Sequence, residues 1–105
     1  MTDNFKFIYK ILRTLEAAMD YSEYDFTCIS HDALGITRER WNAYIEMMLD
    51  AGYIKGATIR RDVTGSIMTD IQQMRITLKG LEYLSENSIM QRMYNTAKGI
   101  VDLIP

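Results

Sequence analysis

Three isoleucines in this chain stand immediately before a hydroxyl residue, in the pairs Ile29-Ser30, Ile36-Thr37 and Ile76-Thr77. Five residues after each isoleucine comes another apolar residue, in turn Leu34, Trp41 and Leu81. A Ser or Thr at the N-cap accepts a hydrogen bond from a free N–H group of the first helical turn, and the apolar pair fixes the angle at which the chain enters the helix. The three pairs therefore predict helices that begin at residues 31, 38 and 78.

The sequence before the hairpin predicts three helices and a short strand. Residues 4–20 carry an apolar stripe of helical spacing, formed by Phe5, Ile8, Leu12, Leu15 and Met19. Phe26–Ile29 is short and β-prone, which predicts an edge strand. The second helix is expected to stop at Gly35 and the third at Gly52, where Tyr53 folds back against Met48 in a Schellman-type end.

After Gly52 the period changes to that of strands. Residues 53–61 and 71–76 predict two strands of a hairpin, joined through the turn-forming residues 62–66. The fourth helix is predicted from Leu78 to about Glu86. Gly80 lies inside it at a cost of about 1 kcal/mol relative to alanine, which suggests a tight contact with a neighbouring element.

A capping box at residues 88–91 predicts a fifth helix near the C-terminus. Its apolar stripe consists of Met90, Met93, Ala97, Ile100, Val101 and Ile104. The stripe has two candidate partners: the first helix, through Phe5, Ile8 and Leu12, or the same helix in a second copy of the chain. The sequence leaves both open.

Two short helices before a β-hairpin are typical of a winged helix-turn-helix, an α+β fold. We therefore expect one domain over residues 1–105, with the helix-turn-helix at about 30–52 and a two-stranded wing at about 53–76. The C-terminal helices, one of them additional to the fold, would occupy about 78–103.

Several segments resemble known proteins. Gly52-Tyr53-Ile54-Lys55-Gly56 resembles the helix-to-wing junction of winged-helix proteins, and Ile76-Thr77-Leu78-Lys79-Gly80-Leu81-Glu82-Tyr83-Leu84 resembles the junction after the wing. The continuation Ser85-Glu86-Asn87-Ser88 and the tail Lys98-Gly99-Ile100-Val101-Asp102-Leu103-Ile104-Pro105 are similar to the YjcQ-like proteins. The resemblance implies a small winged-helix fold, often encoded in phages and prophages, without an established activity. It transfers no functional residues.

Composition narrows the class of protein. With one cysteine the chain can form neither an internal disulfide nor a thiolate zinc cluster. It has no apolar run of the ~18 residues that span a membrane, and we expect a soluble, cytoplasmic protein. The net charge of −2 is not typical of proteins that bind nucleic acid without sequence preference. Residues 16–32 contain five acids and no Lys or Arg, whereas residues 37–61 contain five bases and three acids.

The leading prediction is a phage-related DNA-binding or transcription-associated regulator, whose partner would be double-stranded DNA. DNA would be contacted by the start of the third helix and by the wing, with the candidates Arg38, Arg40, Asn42, Lys55, Arg60 and Arg61. The helical wheel places Glu39, Ala43, Glu46 and Asp50 on the exposed face of that helix, with Arg40 and Met47 at one edge and Asn42 at the other. Three acids on that face oppose DNA, so a protein-interaction or dimerisation module is the alternative.

Catalysis is not expected. Cys28 and His31, with Asp32, are the one conceivable nucleophile and base. We expect Cys28 in the core and His31 exposed on a first helical turn. The sequence contains no phosphate-binding loop and no metal-ligand spacing. It therefore predicts no enzyme, no cofactor, no metal and no small-molecule substrate.

Overall fold

A computed structural model describes residues 3–87 of the chain. The predicted fifth helix and its stripe (Met90, Met93, Ala97, Ile100, Val101 and Ile104) lie outside this range. The described elements form a mixed α+β structure that is compatible with a winged helix. The helices are α1 (Asp3–Ala18), α2 (His31–Leu34), α3 (Arg38–Ala51) and α4 (Leu78–Glu86), with a 3-10 helix at Phe26–Ile29. The strands are β1 (Ile54–Lys55), β2 (Thr58–Arg61), β3 (Ile67–Asp70) and β4 (Arg75–Ile76).

The three predicted helix starts are confirmed. The N–H of Ala33 donates to Ser30 Oγ at 3.3 Å, and that of Arg40 donates to Thr37 Oγ1 at 3.1 Å. The N–H of Gly80 donates to Thr77 Oγ1 at 3.1 Å. Each hydroxyl therefore satisfies one of the N–H groups that a helix start leaves without a partner inside the helix.

Thr77 has a second bond that Thr37 lacks, because its hydroxyl also donates to the carbonyl oxygen of Gly52. We expect Thr77→Ala to lower the free energy of unfolding by about 2 kcal/mol, the sum of a lost cap and a lost hydrogen bond. Thr37→Ala removes a cap alone and should cost about 1 kcal/mol. Urea denaturation of both variants measures the difference. Equal losses would show that the bond to Gly52 contributes nothing.

The predicted end of α3 is also confirmed. Gly52 has a φ of +82°, a left-handed conformation that glycine adopts without a Cβ penalty. Its N–H donates to the carbonyl of Leu49 at 3.1 Å, and the N–H of Tyr53 donates to that of Met48 at 2.9 Å. These two bonds are those of a Schellman motif.

The core is built from all the described helices and the inner end of the hairpin. Its fully buried side chains include Ile11, Leu12, Leu15, Ile29, Ile45, Met48 and Met74. Trp41 is buried, and its indole Nε1–H donates to the carbonyl of Ile29 at 2.8 Å. The predicted stripe of α1 is wrong at both ends, because Phe5 and Met19 are more than half exposed.

The strand predicted at Phe26–Ile29 is wrong, since this segment is a 3-10 helix. Asp25 caps it by accepting a hydrogen bond from the N–H of Thr27 at 3.0 Å. With three residues per turn, Phe26 and Ile29 lie on the same face and are buried, whereas Cys28 is exposed. The expectation of a core cysteine was therefore wrong for the same reason.

The hairpin has two separate ladders where the sequence predicted one. β1 pairs with β4, joining Ile54 to Ile76, and β2 pairs with β3, joining Thr58 to Asp70 and Arg61 to Ile67. The turn at 62–66 is confirmed: the Asp62 carboxylate accepts the N–H groups of Thr64 and Ser66. The hydrogen bond from the Thr64 hydroxyl, together with these backbone bonds, lowers the pKa of Asp62.

The second strand was predicted at 71–76, but residues 71–74 form a turn and the missed strand β3 precedes it. The Asp70 carboxylate accepts the N–H of Gln72 at 2.9 Å, and the N–H of Met74 donates to the carbonyl of Ile71 at 3.0 Å. Opposite this turn, Gly56 has a φ of +84°. A Cβ there would lie 2.0 Å from the carbonyl oxygen of Gln73, so the two ladders meet at a position that only glycine fits.

The tight contact expected at Gly80 is confirmed. A Cβ at this position would lie 2.4 Å from the carbonyl oxygen of Tyr53 and 2.7 Å from Ile76 Cγ1. Gly80 therefore allows α4 to approach the start of the hairpin closely, which explains a helix-weakening residue inside α4.

Candidate functional site

The β2–β3 ladder lies over one flank of α3, where two polar contacts join them. Thr69 Oγ1 donates to Asn42 Oδ1 at 2.7 Å, and Arg61 Nη2 lies 3.2 Å from Glu46 Oε2. Asn42 and Glu46 are four residues apart, so both contacts lie on the same side of α3. Asn42 is 7% exposed, which corrects its predicted place at an open edge of the helix. Glu46, predicted on the exposed face, is partly covered by the hairpin.

Strand alternation separates two of the predicted DNA contacts. In β2, Arg61 shares the face of Ile59 that is turned toward α3, because neighbouring residues of a strand point to opposite faces. Arg60 lies on the outer face, directly opposite Met68 in the ladder. Lys55 belongs to the other ladder, opposite Arg75. The wing cations therefore do not form one cluster.

Arg40 joins α3 to the start of α1. Its Nη1 donates to Asn4 Oδ1 at 2.7 Å and to Tyr44 Oη at 3.3 Å, and the Tyr44 hydroxyl donates to the same Asn4 oxygen. The hydrogen bond with Tyr44 raises the pKa of the Arg40 guanidinium. This side chain has a structural role in the contact between two helices.

Three of the six side chains predicted to contact DNA are exposed and have no hydrogen-bond or ion-pair partner in the described part of the chain. Arg38, Lys55 and Arg60 are exposed, and none of them forms an ion pair within residues 3–87. Arg38 lies at the first turn of α3, Lys55 in β1 and Arg60 in β2. They are the side chains of the predicted set that are free to contact a phosphate.

The side of α3 away from the core and the hairpin is acidic and apolar. It carries Glu39, Ala43, Met47 and Asp50, all exposed, and we call these four residues the open face of α3. Met47 is 50% exposed. The prediction of this exposed face is confirmed for Glu39, Ala43 and Asp50. Glu46 was predicted to belong to it but is partly covered, and Met47 belongs to it instead.

A cleft of about 840 Å³ opens between residues 22–27 and residues 71–75, with Trp41 and Ser30 also in its lining. Two aromatic rings lie next to each other on one wall: the centroids of Tyr24 and Phe26 are 5.3 Å apart. The ring of Tyr21 lies 5.8 Å from that of Tyr24. We call this feature the Trp41 cleft.

The charges of the Trp41 cleft are two carboxylates and one guanidinium. Glu23 and Asp25 belong to the wall of residues 22–27, and Arg75 to the opposite wall. Arg75 Nη1 donates to the carbonyl of Met74 at 2.8 Å, and among residues 3–87 it forms no ion pair with either carboxylate. Hydrogen bonds from Thr27 lower the pKa of the Asp25 carboxyl.

The sequence predicts these acids as loop residues and does not predict the cleft. The available signal was the run from residue 16 to residue 32, which holds five acids and no Lys or Arg. Neither the turn at 71–74 nor the 3-10 helix was predicted, so the two walls could not be brought together.

No other reactive centre emerges from the described part of the chain. His31, which was expected to be exposed, is partly buried, and its Nδ1 lies 3.3 Å from Asp32 Oδ1. Within residues 3–87 no group of three or more His, Cys, Asp or Glu side chains could hold a metal ion. In the same range, no helix has the length and apolar character needed to cross a membrane.

Comparison with known families decides where the chain belongs. A family model described as YjcQ protein matches residues 9–103. The chain belongs to the YjcQ family. Membership of the YjcQ family agrees with the resemblance seen in the sequence, and the match spans α3, the hairpin and all the lining residues of the Trp41 cleft. No curated protein and no solved structure gave a match.

Proposed function

We propose that this YjcQ-family chain is a non-catalytic winged-helix protein that acts by binding another protein. The order α2, α3, hairpin, α4 supports the winged helix, in which α3 would be the helix that enters a DNA groove. The observation that carries the proposal is the open face of α3. Its carboxylates, Glu39 and Asp50, would meet the DNA phosphates with like charge, a disfavoured arrangement.

The same face has features of a protein contact. Met47 is half exposed on this face along with the two acids, and an unbranched thioether side chain adapts readily to a partner surface. Protein interfaces commonly combine an apolar contact with polar residues at the rim. The partner that fits would present apolar and basic side chains to α3.

A second copy of this chain is one candidate partner, through the apolar stripe that the sequence predicts for residues 90–104. Sedimentation equilibrium distinguishes it from a different protein: a dimer at micromolar concentration supports the second copy. A monomer at every concentration excludes the second copy as the partner.

DNA is the second candidate, and one observation favours it. Arg38, Lys55 and Arg60 are exposed and form no ion pair in the described part of the chain. Cations on a hairpin can contact the phosphate backbone even when the recognition helix does not enter the groove.

A gel-shift experiment with a random-sequence duplex separates the two candidates. We expect no retardation at about 50 mM salt, where electrostatic binding to DNA is strong. Retardation that the double variant Arg38→Ala, Arg60→Ala abolishes would overturn the proposal in favour of DNA. The matched control is Lys6→Ala, Lys10→Ala, which removes the same charge from exposed positions of α1.

A further inference from the structure

We infer that the Trp41 cleft binds an arginine side chain of the protein partner. The inference rests on the proposed function and deepens it, because it names the chemical group that the partner presents. It concerns residues that the open face of α3 does not include.

The aromatic wall of the Trp41 cleft offers a ring on which a guanidinium can stack. Tyr24 is 37% exposed, and its ring lies 5.3 Å from Phe26 and 5.8 Å from Tyr21. A planar guanidinium stacks on such a ring and is attracted by its negative face. Phe26 is buried and its ring lies beside that of Tyr24, so Tyr24 is the ring on this wall that keeps surface exposed to a ligand.

Two carboxylates lie beside the aromatic ring of Tyr24. Glu23 and Asp25 flank Tyr24 in the sequence and line the same cleft. Asp25 accepts hydrogen bonds from Thr27, with Oδ1 capping the 3-10 helix, but its carboxylate has no ion-pair partner among residues 3–87. Carboxylates beside an aromatic face offer a guanidinium both hydrogen bonds and charge.

The charged side chains that line the cleft are acidic on balance. Two carboxylates and the single guanidinium of Arg75 give the cleft a net charge of −1. Arg75 is directed to the carbonyl of Met74 and does not neutralise either acid. A cation is therefore the complementary ligand, and an anion would meet two unpaired carboxylates.

The size of the cleft indicates a side chain within a peptide. Its volume of about 840 Å³ falls in the range of sites for drug-sized ligands and exceeds the needs of one guanidinium. Gln72 and Gln73, both exposed, line the far wall and can hydrogen-bond the peptide backbone on either side of the arginine.

The test is an NMR titration of the full chain with the blocked tripeptide Gly-Arg-Gly. We expect saturable shifts at the amides of Tyr24 and Asp25 and at the Trp41 indole, with a Kd on the order of millimolar for so short a probe. Gly-citrulline-Gly has the same shape without the charge and should bind at least tenfold more weakly. Equal binding of the two peptides, or no saturable shift in the cleft, would overturn the inference.

Variants assign the binding to the acids. Glu23→Gln should weaken the arginine peptide at least threefold, whereas Glu82→Gln, the same change at an exposed position of α4, should leave the Kd unchanged. A Kd that Glu23→Gln does not change would contradict the inference. Shifts confined to Ala43 and Met47 would also overturn it while leaving protein binding by α3 intact. The proposed function would instead be overturned if the protein retards DNA and the Arg38→Ala, Arg60→Ala double variant abolishes that retardation.

Discussion

Trp41→Ala is expected to lower the free energy of unfolding by about 3–5 kcal/mol, the usual cost of truncating a buried aromatic side chain. Trp41 is 7% exposed and belongs to the core that joins α3 to Ile29 and to the hairpin. The truncation also leaves the Ile29 carbonyl without the indole N–H that it accepts at 2.8 Å. A domain of this size has a total stability of about 5–15 kcal/mol, so this one change removes a large part of it.

Two further variants make the result interpretable. Trp41→Phe keeps most of the packing and loses only the donor to Ile29, so it should cost about 1–3 kcal/mol. Tyr21→Ala truncates an exposed aromatic residue and should cost much less. Because Trp41 is the only tryptophan, unfolding in urea is followed by far-ultraviolet circular dichroism. An alanine variant as stable as the wild type would contradict the burial of Trp41.

Gly56→Ala is expected to cost about 3–4 kcal/mol, the sum of left-handed backbone strain and overpacking. The strain follows from a φ of +84°, and the overpacking from a Cβ that would lie 2.0 Å from the Gln73 carbonyl oxygen. Backbone atoms at a ladder junction cannot rotate away as the end of a side chain can. The β1–β4 and β2–β3 ladders would therefore have to separate.

Gly65→Ala is the matched control for this prediction. Gly65 has a similar φ of +86°, but a Cβ there would meet nothing within 4 Å. Only the backbone strain remains, so we expect a loss of about 1 kcal/mol. Urea midpoints of the two variants measure the difference. Equal losses would mean that the approach of Gln73 to Gly56 does not exist in solution.

Local chemistry was enough to predict the starts of α2, α3 and α4 and the end of α3. Ser30, Thr37 and Thr77 each cap the helix that the sequence predicted, and Gly52 ends α3 as expected. Caps and Schellman ends depend on residues within one turn of each other, so they can be read without knowledge of the tertiary structure.

The errors arose where two short-range signals compete. Phe26–Ile29 has β-prone residues, but the Asp25 cap and the common face of Phe26 and Ile29 favour a 3-10 helix. Similarly, Ile71 suits a strand, but the Asp70 carboxylate binds the N–H of Gln72 and turns the chain there. In both places an aspartate that bonds the backbone two residues later outweighs β-propensity.

The exposed face of α3 could be predicted only in part. A helical wheel gives the angle of each residue but not which neighbour covers the flank. Asn42 and Glu46 were assigned to solvent because the position of the hairpin depends on Thr69 and Arg61, about 15 to 27 residues away in sequence. The Trp41 cleft was missed for the same reason, since its walls come from two segments separated by α3 and most of the hairpin.

The contact of the hairpin with the Asn42 flank of α3 underlies both proposals, because it leaves the open face acidic and puts the turn at 71–74 opposite Tyr24. Nuclear Overhauser spectroscopy tests it directly. We predict cross-peaks between the Asn42 side-chain amide and the Thr69 methyl group, because Thr69 Oγ1 lies 2.7 Å from Asn42 Oδ1. Cross-peaks from Thr69 to Ala43 or Met47 instead would show that the hairpin covers the acidic face, and would contradict the account.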